Sequence, residues 1–259
     1  MTNHLTTWMI MAEASRSEGP IGLSSETSRK VVEAIEESIP LYDHVNDLIS
    51  FGKAQAARKF AVQKMQLRDK KVVLDAGVGP GTTSRLVLES ASPALLVGFD
   101  ASSIQLKTAK SNLRAGESAS LEFVRGCFEF LPFRDEVFDA VITSYALRDS
   151  RDIPKAIGEY SRICAVSGVF ADVDLGKPDN FLKRCGSAFY IRYVMPFIAK
   201  VAILGKIKGN PWRMLAPTYE PLPTNNSLLA QVRSNFRGVE VREFLMGSII
   251  VIIARGSYR

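Results

Sequence analysis

Histidine is scarce in this 259-residue chain. His4 and His44 are the whole supply, so neither a histidine-built metal site nor a Ser-His-Asp triad is expected. The three cysteines, Cys127, Cys164 and Cys185, are odd in number and lack metal-ligand spacing; they read as reduced thiols. Repeats and low-complexity tracts are missing, which leaves an ordinary globular composition able to bury one sizeable core. The N-terminus does not run from basic to apolar as a secretory signal does, so the chain is expected in the cytoplasm. Acidic residues are absent from Phe181 to Tyr219, a stretch that holds Lys183, Arg184, Arg192, Lys200, Lys206, Lys208 and Arg213. The net charge of +6 therefore belongs to one segment. Its apolar run, Ala188 to Leu204, is broken by Arg192, Pro196 and Lys200, against a transmembrane span of roughly 20 apolar residues. Two readings stay open for it: an interfacial element on anionic headgroups, or a core helix with a solvated basic face.

What is present begins with Val72-Val73-Leu74-Asp75-Ala76-Gly77-Val78-Gly79-Pro80-Gly81-Thr82-Thr83. A short apolar strand enters a glycine-rich turn, and a helix follows from Thr82 to Ser90. Such a junction is a docking point for an anionic or polar small molecule. The dinucleotide fingerprint G-x-G-x-x-G/A fails here, because the third glycine comes one residue early, at Gly81. A Walker sequence is absent, which argues against a nucleoside triphosphate. The form Asp75-x-Gly77-x-Gly79-x-Gly81 resembles motif I of class I S-adenosylmethionine (SAM) methyltransferases.

Before this turn, a helix is expected from about Ser24 to Ile39. Its apolar face is Val31, Val32, Ile35 and Ile39, and Pro40 ends it. A second helix is expected over Asp47 to Gln66. Strand-like runs then alternate with helical ones: strands at 71–75, 94–99, 121–125, 137–143 and 168–173, helices at 82–90, 102–114 and 154–164. This alternation implies a parallel sheet with helices on both faces. Val239–Leu245 and Ile249–Ala254 read as a closing antiparallel hairpin around Met246-Gly247-Ser248. The expected fold is α/β, a Rossmann-like, mainly parallel seven-stranded sheet. It comprises an N-terminal extension, 1–40, and one domain, 41–259, with a lid-like insertion at 176–225. Asp100, roughly 20 residues past the glycine turn, suits ribose hydroxyls; the plain alternative is a helix N-cap, a role for which Ser102 is also available. Cys127 and Phe128 follow the third strand, where side chains can flank an adenine. Thr143-Ser144 ends the fourth strand, a position suited to the methionine part of a cofactor.

Four further elements carry a narrower resemblance. Tyr42-Asp43-His44-Val45-Asn46-Asp47-Leu48-Ile49-Ser50-Phe51-Gly52 resembles the YDxMNDLMSFG signature of the UbiE/COQ5/MenG quinone C-methyltransferases. Leu131-Pro132-Phe133, Ser144-Tyr145-Ala146-Leu147-Arg148-Asp149 and Gly176-Lys177-Pro178 resemble the family's LPF, SFGLRN and FSKP elements. The similarity runs from Tyr42 to about Arg255. It implies SAM as cofactor and methylation of a ring carbon of a polyprenyl quinol, in menaquinone- or ubiquinone-type synthesis. It puts Asp75, Gly77, Gly79, Pro80, Gly81, Asp100, Cys127, Phe128 and Ser144 at the cofactor. Departures exist: Cys127 stands where the family has Asn, Phe128 where it has Ala and Asp149 where it has Asn. The Trp-bearing stretch after Phe51-Gly52 is missing.

Methyl transfer from a sulfonium is an in-line displacement, so positioning supplies much of the acceleration, roughly 7–11 kcal/mol. The attacking ring carbon draws electron density from a neighbouring quinol oxygen. Ionising a phenol of pKa about 10 at pH 7 costs about 4 kcal/mol. Arg148 is expected to stabilise the quinolate, with water or Asp149 taking the proton. Tyr42 and Asp47 are expected to order the acceptor, Asp47 being a second candidate base. A solvated Arg148–Asp149 ion pair without function is the plain alternative. The polyprenyl tail gives the 181–219 segment a reason to meet a membrane surface, and a homodimer is compatible with the sequence. Other lipid or small-molecule acceptors, and a non-catalytic SAM-fold binding protein, remain as rival functions. Nucleic-acid methylation is not expected, because the N/D-PP-Y/F motif is absent.

Overall fold

The computed structural model describes residues 25–38, 41–69, 71–113, 120–204, 206–207 and 209–258. Apolar runs bounded by turns form its centre. β1 (Val72–Ala76), β2 (Leu95–Asp100), β3 (Ser120–Arg125), β4 (Phe138–Ser144) and β5 (Cys164–Leu175) pair in parallel. β6 (Phe236–Phe244) and β7 (Ile249–Ser257) form a hairpin, and β7 pairs antiparallel with β5. The seven strands lie in the order β3-β2-β1-β4-β5-β7-β6. The fold class expected from the sequence is therefore the one observed. Leu245–Gly247 makes the hairpin turn, so Leu245 leaves the strand expected to hold it, while β6 starts earlier than expected, at Phe236, and β7 runs on to Ser257.

Strand residues alternate between faces, so the sheet carries two apolar layers. One face packs Leu74, Phe99, Phe138 and Phe170 against Tyr160 of α6 (Ile153–Ile163). The other packs Val73, Ile142 and Val251 under α3 (Lys53–Met65) and α4 (Thr82–Ser90). α3 presents the small residues Ala57 and Ala61 to this layer, which lets the helix lie close to the strands. α5 (Ser103–Asn112) packs Leu106 and Ala109 on Val78.

The helix expected over 47–66 is two helices. α2 (Tyr42–Ile49) stops at a left-handed turn, with Phe51 at φ 50° and Gly52 at φ 72°, before α3 starts. Apolar periodicity continues across the break and gave no sign of it. α1 (Ser25–Ser38) agrees with the helix expected there, and its Val31 is buried. The side chains of Val32 and Ile35, and residues Ile39 and Pro40, lie outside the described residues.

After β5 comes the long insertion. α7 (Phe181–Phe189), a π-turn (Tyr190–Val194) and α8 (Met195–Ile203) form one continuous helical rod. A 3-10 turn (Pro211–Met214) and α9 (Leu215–Tyr219) follow, then α10 (Asn225–Arg233) leads into β6. A third apolar cluster joins Val45 and Ile49 of α2 to Ile191, Met195, Trp212 and Tyr219 of this insertion. Trp212 Nε1 donates to Asn46 Oδ1 at 2.9 Å, and Tyr190 Oη donates to the Ile49 carbonyl at 3.0 Å. The insertion is thereby fastened to the Tyr42–Gly52 element.

Candidate active site

β1 connects to one side of the sheet and β4 to the other, so a crevice opens beyond their C-terminal ends. Gly77 leaves β1 at φ 84°. A Cβ at that position would lie 2.3 Å from Ala146 Cβ and 3.3 Å from the Phe128 ring. The turn and the loop after β4 touch because position 77 has no side chain. Gly79 and Gly81 also take positive φ, and nothing stands within 4 Å of where a Gly79 Cβ would be. Pro80 lies between them, its carbonyl accepting from Asn112 Nδ2 at 3.0 Å. The N-terminus of α4 faces the same opening.

Asp100 ends β2 and reaches back to this turn. Its carboxylate accepts from Gly79 N at 3.0 Å and from Ser102 N at 2.9 Å. Burial raises its pKa, while those two N–H groups pull it down. Ser102, not Asp100, caps α5. Asp75 is fully buried beneath the turn. Its Oδ2 accepts from Ser84 Oγ at 2.6 Å, and its Oδ1 has no partner among the described residues. Burial pushes its pKa to about 6, against the Ser84 hydrogen bond and the charge of Arg58. Phe128 packs between Phe99 and Tyr160, and Cys127 beside it is exposed. Ser144, at the end of β4, accepts from Arg58 Nε at 3.0 Å.

A second cleft, of about 430 Å³ including solvent at its mouth, adjoins this one. Tyr42 and Asn46 of α2 form one wall, and Arg148 and Asp149 another. Trp212, Met214 and Leu215 of the insertion and Val31 and Ala34 of α1 complete it. The structure thus brings Tyr42, Arg148 and Asp149 together. It does not bring Asp47, which is exposed on α2 and contributes its backbone carbonyl to the Gly52 turn. Asn46, its neighbour, faces the cleft instead.

Arg148 is held on three sides. Its Nη1 donates to Asp174 Oδ1 at 2.8 Å, its backbone N donates to Asp174 Oδ2 at 3.0 Å, and Nε lies 3.6 Å from Asp149 Oδ1. Burial works against its charge, but Asp149 and Asp174 more than offset this, so the guanidinium is held protonated. Burial raises Asp149 to about 6, with Arg148 pulling down and Asp174 pushing up. Burial also raises the Tyr42 phenol, opposed by Arg58 and Arg148. Asp172, behind Asp174, has no partner for either oxygen among the described residues; burial, then Asp174, pushes its carboxyl far up. One cation thus serves three carboxyls, and Asp172 is the one whose oxygens have no hydrogen-bond partner among the described residues.

Arg58 and Asp174 escaped sequence reasoning. For Asp174 a signal existed: two acids, Asp172 and Asp174, in an otherwise apolar strand. For Arg58 there was none, since its partner Ser144 lies 86 residues on. The part played by α1 was also missed. Besides Val31 and Ala34 in the cleft, Ser102 Oγ donates to Glu36 at 2.5 Å, so one helix reaches both openings.

This sheet order, with a glycine turn after β1 and an acid at the end of β2 tied to it, defines a SAM-dependent methyltransferase. The residues present fit that cofactor. The open space at Gly79, the Asp100 carboxylate and the Phe128 ring suit its adenosine, and the orphaned Asp75 Oδ1 and buried Arg58 suit the zwitterionic methionine end. Solved methyltransferases share the fold. One from Thermotoga maritima matches at TM-score 0.57 and 16% identity, covering 87% of this chain and 99% of its own. One from Mesorhizobium loti matches at TM-score 0.53 and 17% identity, covering 77% and 97%.

Within that class, the chain belongs to the ubiE/COQ5 methyltransferase family, which matches residues 23–255. The match takes in α1, beyond the Tyr42 start legible in the motifs. Its relatives include the demethylmenaquinone methyltransferase of Thermus thermophilus, 31% identical over 81% of this chain and 93% of that protein. The 2-phytyl-1,4-naphthoquinone methyltransferase of Thermosynechococcus vestitus is 26% identical over 86% and 98%.

Proposed function

We propose that this enzyme methylates a ring carbon of a polyprenyl quinol of the demethylmenaquinol type. The observation that carries the reading is the second cleft: a buried guanidinium and a carboxylate on one wall, aromatic and apolar side chains on the others. A flat ring with an ionisable hydroxyl matches that lining. The relatives' naphthoquinone substrates point the same way.

When bound, SAM supplies an electrophilic methyl group on a sulfonium sulfur. The chain's residues then have separate tasks. Arg148, fixed by Asp174, offers positive charge to a quinolate oxygen and so lowers the cost of ionising it. Asp149, ionised at neutral pH, accepts the hydroxyl proton. Tyr42, Trp212 and Leu215 hold the ring and exclude water. With SAM bound, its carbon–sulfur bond would break as the carbon–carbon bond formed, and the ring's proton at that carbon would pass to water. The test is incubation with labelled SAM and a panel of demethylated naphthoquinols and benzoquinols, read by mass spectrometry. Label on a naphthoquinol ring carbon is expected. Transfer to no quinol would sink the reading, and the non-catalytic binding protein would take its place.

The tail of such a substrate resides in lipid, and the same reading has segment 181–219 meet the membrane surface. No helix of the described residues is long and apolar enough to cross a membrane. The rod of α7, π-turn and α8 buries Ile191, Met195, Ala199 and Ile203, while Phe189, Tyr193, Phe197 and Val201 stand 51–67% exposed on its outer side. Both rows repeat every four residues. The wider π-turn winds less per residue and so compensates the drift of that spacing on an α-helix. Exposed Lys183 and Lys200 accompany the outer row. Such a row, without acids, suits an anionic bilayer. Sedimentation with vesicles of phosphatidylcholine plus phosphatidylglycerol is expected for the wild type and weakened by salt. The double variant Phe189→Ser, Phe197→Ser is expected to stay in the supernatant. Equal sedimentation of both proteins, or none of the wild type, would remove the membrane reading; self-association lost in the variant would replace it with a homodimer.

A further inference from the structure

Among the described residues, Arg58 is a buried cation with no ion-pair partner. It sits in the first half of α3 with 4% of its surface exposed. Among the described residues no carboxylate lies within 4.0 Å of it, and Ser144 Oγ, 3.0 Å from Nε, is its hydrogen-bond acceptor. Its guanidinium lies 4.6 Å from the centroid of the Tyr145 ring, which covers one face. Asp75 feels its charge but is engaged by Ser84. A buried charge is costly unless paired, so a guanidinium kept in this state marks the place of an absent negative group.

The surroundings narrow what that group is. Ser144 orients the guanidinium through Nε, and Tyr145 fixes its plane. The edge formed by Nη1 and Nη2 is left, and that edge matches a carboxylate in bidentate fashion. Ser144 ends β4 beside the Gly77 turn, in the crevice between β1 and β4. The quinol offers no carboxylate; the cofactor does, on its methionine moiety. We propose that Arg58 binds the methionine carboxylate of SAM, with Ser144 acting as its positioning residue and not as a direct contact. This rests on the reading of the chain as a SAM enzyme but not on the identity of the methyl acceptor.

The test compares two ligands by calorimetry, SAM and its decarboxylated analogue, without any methyl acceptor. A charge-assisted pair lost on one side costs about 10- to 100-fold in affinity. The wild type is expected to bind the analogue weaker by that factor. Arg58→Gln is expected to bind SAM weaker by a similar factor and to bind both ligands alike. Arg58→Lys, which keeps the charge without the fork, is expected to retain part of the preference. Should Arg58→Gln not fold, the wild-type pair and the lysine variant still decide. The proposal is overturned if the wild type binds both ligands equally. It is also overturned if a folded Arg58→Gln keeps the preference, or if it loses both ligands to the same extent, as a merely structural arginine would. Loss of all SAM binding by the wild type would instead overturn the enzyme class on which the proposal rests.

Discussion

At the residue scale, the site turns on how few charges share one buried space. Arg148 is kept cationic by two carboxylates, and Asp149 titrates near 6 because burial outweighs the attraction of Arg148. A base of that pKa is protonated in acid and ionised above it. Turnover is therefore expected to rise through pH 6 and to level off above it. In Asp149→Asn that limb is expected to vanish and the plateau to drop about 10²-fold, which a pH–rate profile reads directly. Arg148→Ala is expected to lower kcat by about 10²- to 10³-fold with SAM affinity nearly unchanged. Single-turnover rates beside calorimetry separate the two quantities; full turnover in that variant would leave Arg148 a structural ion pair.

At the element scale, two glycines show how cost depends on neighbours. Gly52 and Gly77 both take positive φ, but open space surrounds the first and Ala146 crowds the second. Gly52→Ala is expected to cost about 1 kcal/mol, the left-handed backbone alone. Gly77→Ala is expected to cost about 3 kcal/mol, since the Ala146 loop must also move. Urea midpoints of the two variants check the difference. The alternation of strands and helices was legible because hydrophobic period and turn residues report local backbone. The break at Phe51 was not, because a left-handed residue leaves no mark in periodicity. Likewise Asp174 and Arg58 act on partners 26 and 86 residues away, and distance of that kind is invisible to local patterning. Asp47 looked catalytic as part of a signature, yet helical geometry turns Asn46 to the cleft instead.

At the scale of the whole molecule, the sheet provides a cofactor crevice, and helices from outside the βα core wall the cleft beside it. α2, the 176–225 insertion and α1 make the second cleft together with Arg148 and Asp149 from the turn after β4. The insertion is joined to α2 by Trp212 Nε1 to Asn46 Oδ1 at 2.9 Å and by Tyr190 Oη to the Ile49 carbonyl at 3.0 Å. α1 is the piece with contacts on both sides. Its Val31 and Ala34 line the second cleft, and its Glu36 accepts from the hydroxyl of Ser102, two residues past Asp100. One helix set against both openings is expected to impose a sequence in time. With an acceptor beneath α1, exchange of the cofactor is expected to be barred, so that the cofactor enters first and its demethylated product leaves last. Initial-rate kinetics are then expected to be sequential and ordered. S-adenosylhomocysteine is expected to inhibit competitively against SAM but not against the quinol, and isotope trapping of preloaded SAM would show commitment once the quinol arrives.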